Sequence, residues 1–329
     1  MAQKSYAYAC ARVSALSKRL LDDTALKRMA EGSMGDALRI LIDDRYGNLP
    51  DAGEGDGERM IERELIAMRE EVRSISPEPA ITDLFLLQSD VMNLKTLIKA
   101  RLLEQKDIAW QAGGLYDRET LEKAVSEQDY SFLPEDMVKE LNALEKRLSV
   151  SVEPQYISIA LDRAYLRHAL KATAKNRDFS HYFKAKADFD NVLTFLRVRA
   201  MGGGRGMLKD VLLVEGGIPF KAFFEGYDLS VEGFGRIVES SVCRRQIANA
   251  LDKMYGTGNI GEVEKARDNY LMSLIAAHKH DAMSLFPVVG YIIAKEREAQ
   301  NVRLILTVKR NGLSDSVIAE RLEIGRAHV

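Results

Sequence analysis

Apolar residues return at helical spacing along almost the whole chain. Tyr6, Ala9, Cys10, Val13, Leu16 and Leu20 lie three or four apart, which predicts a helix over Tyr6 to Leu21. Leu38, Leu41 and Ile42 predict a short second helix over Ala37 to Asp43, ending near Tyr46. Three pairs of longer segments follow: Glu58 to Ser76 with Ile81 to Glu104, Pro154 to Ala174 with Ser180 to Arg199, and Gly261 to His280 with Ala282 to Lys309. Each pair joins a helix of about five turns to a second one across a short connection, the pattern of a helical hairpin. No stretch alternates apolar and polar residues over several strands, so the expected fold class is all-α.

The second helices of these pairs share a pattern. Asp90, Asn93, Leu94, Leu97, Ile98 and Arg101 recur as Asp188, Asn191, Val192, Phe195, Leu196 and Arg199, then as Glu298, Asn301, Val302, Ile305, Leu306 and Lys309. An acid is followed by an amide three on, apolar residues four, seven and eight on, and a base eleven on. At 100° per residue these positions fall within an arc of about 140° on one helix face. The face must therefore pack against something while its polar groups find partners there. Two readings of the acid and amide stand side by side: they hydrogen-bond backbone groups or a basic side chain on a neighbouring helix, or they touch a partner protein. A second echo, Gly113-Gly114-Leu115 and Gly216-Gly217-Ile218, follows the first two copies and reads as a turn opening a short helix. Three copies about a hundred residues apart predict three related modules rather than the turns of a solenoid. We place them at 1–150, 151–255 and 256–329, with residues 311–322 opening a last helix. Ile324 to Val329 breaks its apolar periodicity and reads as a non-native tail.

Composition narrows the function. The 329 residues carry 47 Lys and Arg against 49 Asp and Glu, a net charge of −2, which argues against a nucleic-acid partner and for protein partners. Two distant cysteines, Cys10 and Cys243, lack metal-ligand spacing and read as reduced packing residues. The N-terminus has no signal-peptide pattern, and the strongest apolar run, Leu285 to Ala294, falls far short of the roughly 20 residues that span a bilayer.

Several motifs resemble chemistry without its context. Gly256-Thr-Gly258-Asn-Ile-Gly261 matches the dinucleotide fingerprint but follows a helical rather than an extended segment. Met201 to Lys209 is glycine-rich without the Lys-Ser or Lys-Thr of a phosphate loop, so it reads as a break between helices, with Arg205 a candidate partner contact. Pro50 to Gly57 lacks the ligand spacing of a calcium loop. His278 and His280, two apart, point about 200° from each other on a helix, which disfavours a shared metal. No nucleophile stands near a recognisable base. No catalytic residue, cofactor or metal ligand is expected.

The acid-x-x-Asn helix, with the Tyr6 to Leu21 segment and Gly290 to Arg303, resembles the C subunit of V/A-type rotary ATPases, the counterpart of the eukaryotic d subunit. The likeness runs to about Leu322. It implies three pseudo-symmetric helical bundles forming a funnel-shaped adaptor with no active site. As partners it implies the central-shaft subunits and the membrane proteolipid ring, on whose cytoplasmic end the protein would sit as a peripheral subunit without entering the bilayer. Its work would be to carry rotation between ATP turnover and H⁺ or Na⁺ movement. A helical scaffold of an unrelated complex is the alternative.

Overall fold

The computed structural model describes residues 5–105, 108–151, 153–229, 235, 237–314 and 318, and among them it contains fourteen α-helices and no strand. In order these are α1 (Tyr6–Ser17), α2 (Asp23–Glu31), α3 (Met34–Asp43), α4 (Gly57–Ile75), α5 (Pro79–Leu103), α6 (Arg118–Glu127), α7 (Glu135–Leu148), α8 (Gln155–Ala172) and α9 (Arg177–Ala200). They continue with α10 (Arg205–Val211), α11 (Phe220–Glu225), α12 (Arg244–Thr257), α13 (Gly261–Ala277) and α14 (Phe286–Arg310). The all-α expectation holds. The segment expected to open a last helix and the tail from Ile324 lie outside the described residues, except for Asn311 to Ser314 and Ile318.

Local chemistry sets the helix ends. Ser5, Asp22 and Asn176 cap α1, α2 and α9 by accepting from Tyr8, Ala25 and Phe179 N–H, and Ser33 with Asp36 closes a reciprocal capping box on α3. α1 stops four residues short of its predicted end, because the N–H of Leu21 is taken by a buried carboxylate rather than by a helical carbonyl. α2 was not predicted; it is nine residues long and buries Leu26 and Met29, too short for a clear periodic signal. Met201 to Lys209 holds the break between α9 and α10, with Gly202 at φ +69° beyond the end of α9 and Gly204 capping α10. His278 and His280 lie beyond α13 rather than on it, and the His278 ring stacks on Phe286 with centroids 4.9 Å apart.

The chain divides into two compact units, one made of 1–92, 109–117 and 275–329, the other of 93–108 and 118–274. In the first, α14 is the central helix, packed by α1, α2, α3 and α4, with Val288, Val289, Ile292, Val302 and Ile305 fully enclosed. Segments from both ends of the chain thus build one core. In the second, α9 packs against α8 and α10, and α7 lies along α8. Its core is aromatic: Phe183, Phe189, Phe195 and Phe223 are fully buried, and Phe195 meets Phe223 at 5.8 Å between ring centroids. No helix among the described residues is long and apolar enough to cross a membrane.

Candidate functional site: three buried polar stripes

The recurring acids and amides are all interior. Asp90, Asp188 and Asn191 are fully buried, and Asn93, Glu298 and Asn301 are at most 3% exposed. A buried carboxylate needs compensating donors, and each copy finds them in a loop.

In the first copy Asp90 accepts from the backbone N–H groups of Leu115 (2.7 Å) and Tyr116 (3.4 Å). Gly114 is forced by this approach, since a Cβ there would stand 2.1 Å from the Asp90 carboxylate. In the second copy Asp188 accepts from Gly217 N–H (2.8 Å), Ile218 N–H (2.9 Å) and the Ser241 hydroxyl (2.6 Å). Asn191 straps the preceding segment, its Oδ1 accepting from Leu213 N–H (2.9 Å) and its Nδ2 donating to the Val214 carbonyl (2.6 Å). The two sequence echoes, acid helix and Gly-Gly turn, are therefore the two halves of one contact.

The third copy has no Gly-Gly turn after it. Glu298 instead accepts from Leu21 N–H (2.6 Å), 277 positions away in the link between α1 and α2, and from Lys295 Nζ (2.7 Å). Lys295 is 4% exposed and also binds Glu64 at 2.6 Å; the other oxygen of Glu64 accepts from Gly47 N–H at 2.8 Å. The ammonium lies 5.4 Å from the centroid of the Tyr46 ring.

Two of the three bases at the far end of the stripe work on carbonyls. Arg101 donates to the Val125 carbonyl (2.6 Å), in the last turn of α6, and pairs with Glu145 (2.6 Å). Lys309 donates to the carbonyls of Ala30, at 2.8 Å, and Gly32, at the end of α2. A cation at a helix C-terminus meets both the unpaired carbonyls and the negative end of the dipole. Arg199 differs, its guanidinium lying 5.6 Å from the Phe195 ring centroid. Thus α2 stands to α14 as α6 stands to α5: the N-terminal residues supply the third stripe with its loop and short helix. Arg205, the loop base singled out from sequence, pairs with Asp228.

Burial perturbs these acids. It pushes Asp90 up to about 7, against the N–H groups of Leu115 and Tyr116, which favour the ionised form. Asp188 and Glu298 are likewise raised by burial, against their own donors. For Asp90 the folded value exceeds the free value of 3.8, so between these the folded state holds a proton that the unfolded chain has released. Stability therefore falls as pH rises through 7, by about 1–1.5 kcal/mol from this group between pH 6 and pH 8. Urea midpoints at the two pH values should differ more for the native chain than for Asp90→Asn. Equal differences in the two proteins would contradict the assignment.

The three stripe acids are engaged by backbone N–H groups, the Ser241 hydroxyl and the Lys295 ammonium, and no group of three or more His, Cys, Asp or Glu side chains among the described residues could hold a metal. Cys10 and Cys243 are both buried thiols, and burial raises both. The Gly256 to Gly261 run spans the end of α12, the turn to α13 and the first residue of α13, with Gly258 at φ +70°.

Comparison with known proteins finds relatives over nearly the whole chain. The chain is 24% identical over 296 residues to the C subunit of the V-type sodium ATPase of Enterococcus hirae, covering 88% of each chain. It is 24% identical over 350 residues to the C subunit of the A-type ATP synthase of Methanosarcina acetivorans, covering 97% of this chain and 93% of that one, and 23% identical to the corresponding protein of Methanocaldococcus jannaschii, covering 96% and 86%. The family model described as ATP synthase (C/AC39) subunit matches residues 9–321, and the region it spans contains all three acid-and-amide helices. On that match, the chain belongs to the ATP synthase (C/AC39) subunit family of V/A-type rotary ATPases.

Proposed function

We propose that this chain is the non-catalytic central-stalk subunit that joins the rotor shaft of a V/A-type ATPase to the membrane proteolipid ring, on the cytoplasmic face. The observation that carries the reading is the family match over 9–321, and the relatives named above are C subunits of a V-type sodium ATPase and of A-type ATP synthases. A coupling element must transmit torque with little give. Helices pinned by buried polar contacts suit that task, because tightly packed interiors transmit strain rather than absorb it.

Under this reading the stripe residues Asp90, Asn93, Arg101, Asp188, Asn191, Arg199, Glu298, Asn301 and Lys309 hold the modules together rather than touch a partner. The modules themselves are 1–150, 151–255 and 256–329, the last drawing on the N-terminal residues for its loop. The first test is to isolate the ATPase from membranes through a tagged catalytic subunit. The chain should be retained with the shaft and ring subunits, and its absence from an otherwise complete motor would reject the assignment.

A further inference from the structure

In the first unit a cleft of about 320 Å³ is lined by five cationic side chains, Arg12, Arg19, Arg45, Arg63 and Lys295, and by two acids, Glu64 and Glu71. Five against two leaves a surplus of three positive charges, on a chain whose net charge is −2. The acids are already engaged: Glu71 pairs with Arg12 at 2.6 Å and Glu64 with the buried Lys295 at 2.6 Å. The guanidinium groups of Arg19, Arg45 and Arg63 have no ion pair or hydrogen bond among the described residues. They reach the rim from three elements, the turn after α1, the turn after α3 and the face of α4. Arg45 is held there at φ +57°, a conformation that non-glycine residues adopt rarely. Beside them Leu16 and Ala67 offer a small apolar surface, with Met68 buried behind it.

We propose that this cleft docks an acid-rich amphipathic segment of another subunit, whose carboxylates meet Arg19, Arg45 and Arg63 while an apolar side chain rests against Leu16 and Ala67. The proposal rests on reading the chain as a subunit of the rotary ATPase. Guanidinium forks match carboxylates in paired hydrogen bonds, and unneutralised arginines beside apolar surface are the composition of an interface anchor. A free phosphate fits less well. It would leave the apolar surface unused and would concentrate its charge next to Glu64 and Glu71, whereas carboxylates spaced along a segment can each meet one arginine.

The test compares complexes assembled with the native chain and with Arg19→Glu, Arg45→Glu and Arg63→Glu combined. All three positions are exposed, so thermal melting of the isolated variant should match the native chain. Retention of the variant in the complex should fall about tenfold or more, and retention of the native chain should weaken with salt. In a second arm, Arg45→Lys with Arg63→Lys supplies amines to a zero-length carbodiimide, and the cross-linked peptides should contain Asp or Glu of another subunit. Full retention of the charge-reversed chain, or cross-links confined to this chain, would overturn the proposal. So would tight binding of inorganic phosphate that the three substitutions abolish while assembly is unchanged. If the native chain itself is absent from the complex, the reading of its function fails first, and the two failures are thereby told apart.

Discussion

Replacing Asp188 with Ala is expected to destabilise the second unit by about 3–5 kcal/mol. The side chain is fully buried on α9 and receives three donors, Gly217 N–H, Ile218 N–H and the Ser241 hydroxyl, all within 2.9 Å. Truncation removes the acceptor from all three at once, and each buried donor left unmet costs about 1–3 kcal/mol. Gly216 and Gly217 press the turn against the carboxylate so closely that a Cβ on Gly216 would lie 2.5 Å from Asp188 Oδ1, so the loop is shaped to this acid. Asp178→Ala, at an exposed acid in the first turn of the same helix, should cost about 1 kcal/mol or less. Denaturant unfolding of the two variants makes the comparison, and similar losses would contradict a pinned loop.

Lys295→Met is the second substitution with a large expected effect, again about 3–5 kcal/mol. The ammonium is enclosed between Glu298 and Glu64, and removing it leaves Glu298, itself 1% exposed, as an uncompensated charge. The deficit should depend on pH in a definite direction. Burial already raises Glu298 above its ordinary value of 4.5, and Lys295 pulls it down; without the lysine it rises further. A group raised in the folded state is protonated there while still ionised in the unfolded chain, so stability is lost as pH rises. The variant should therefore be more impaired at pH 8 than at pH 5, and adding Glu298→Gln should restore part of the loss at pH 8. A deficit that is the same at both pH values would show that Lys295 acts by packing alone.

The helical class was legible because apolar spacing of three and four persists over long segments, and the stripe because an acid, an asparagine, apolar residues and a base return at identical offsets. The partners of the stripe were only half legible. Gly113-Gly114 and Gly216-Gly217 could be seen to echo each other, yet periodicity along a helix says nothing about which loop lies over it, so the contacts from Asp90 and Asp188 emerge only in three dimensions. The third copy was opaque. Glu298 reaches Leu21 across 277 positions, and no motif marks Leu21 as its counterpart. Lys295 sits three residues before Glu298 and reads as an ordinary solvated base; its burial depends on Glu64, which arrives from α4. The short α2 is hard to read for the related reason that a nine-residue helix with two buried positions leaves little periodic trace.

The proposed role is tested by coupling. The most direct measurement follows ATP hydrolysis and ATP-driven ion uptake together, in vesicles carrying the motor with this chain present or removed. The account predicts that without it the catalytic part still hydrolyses ATP while uptake stops, and that adding the chain back restores uptake. Uptake that continues at its original ratio to hydrolysis in vesicles lacking the chain would contradict it.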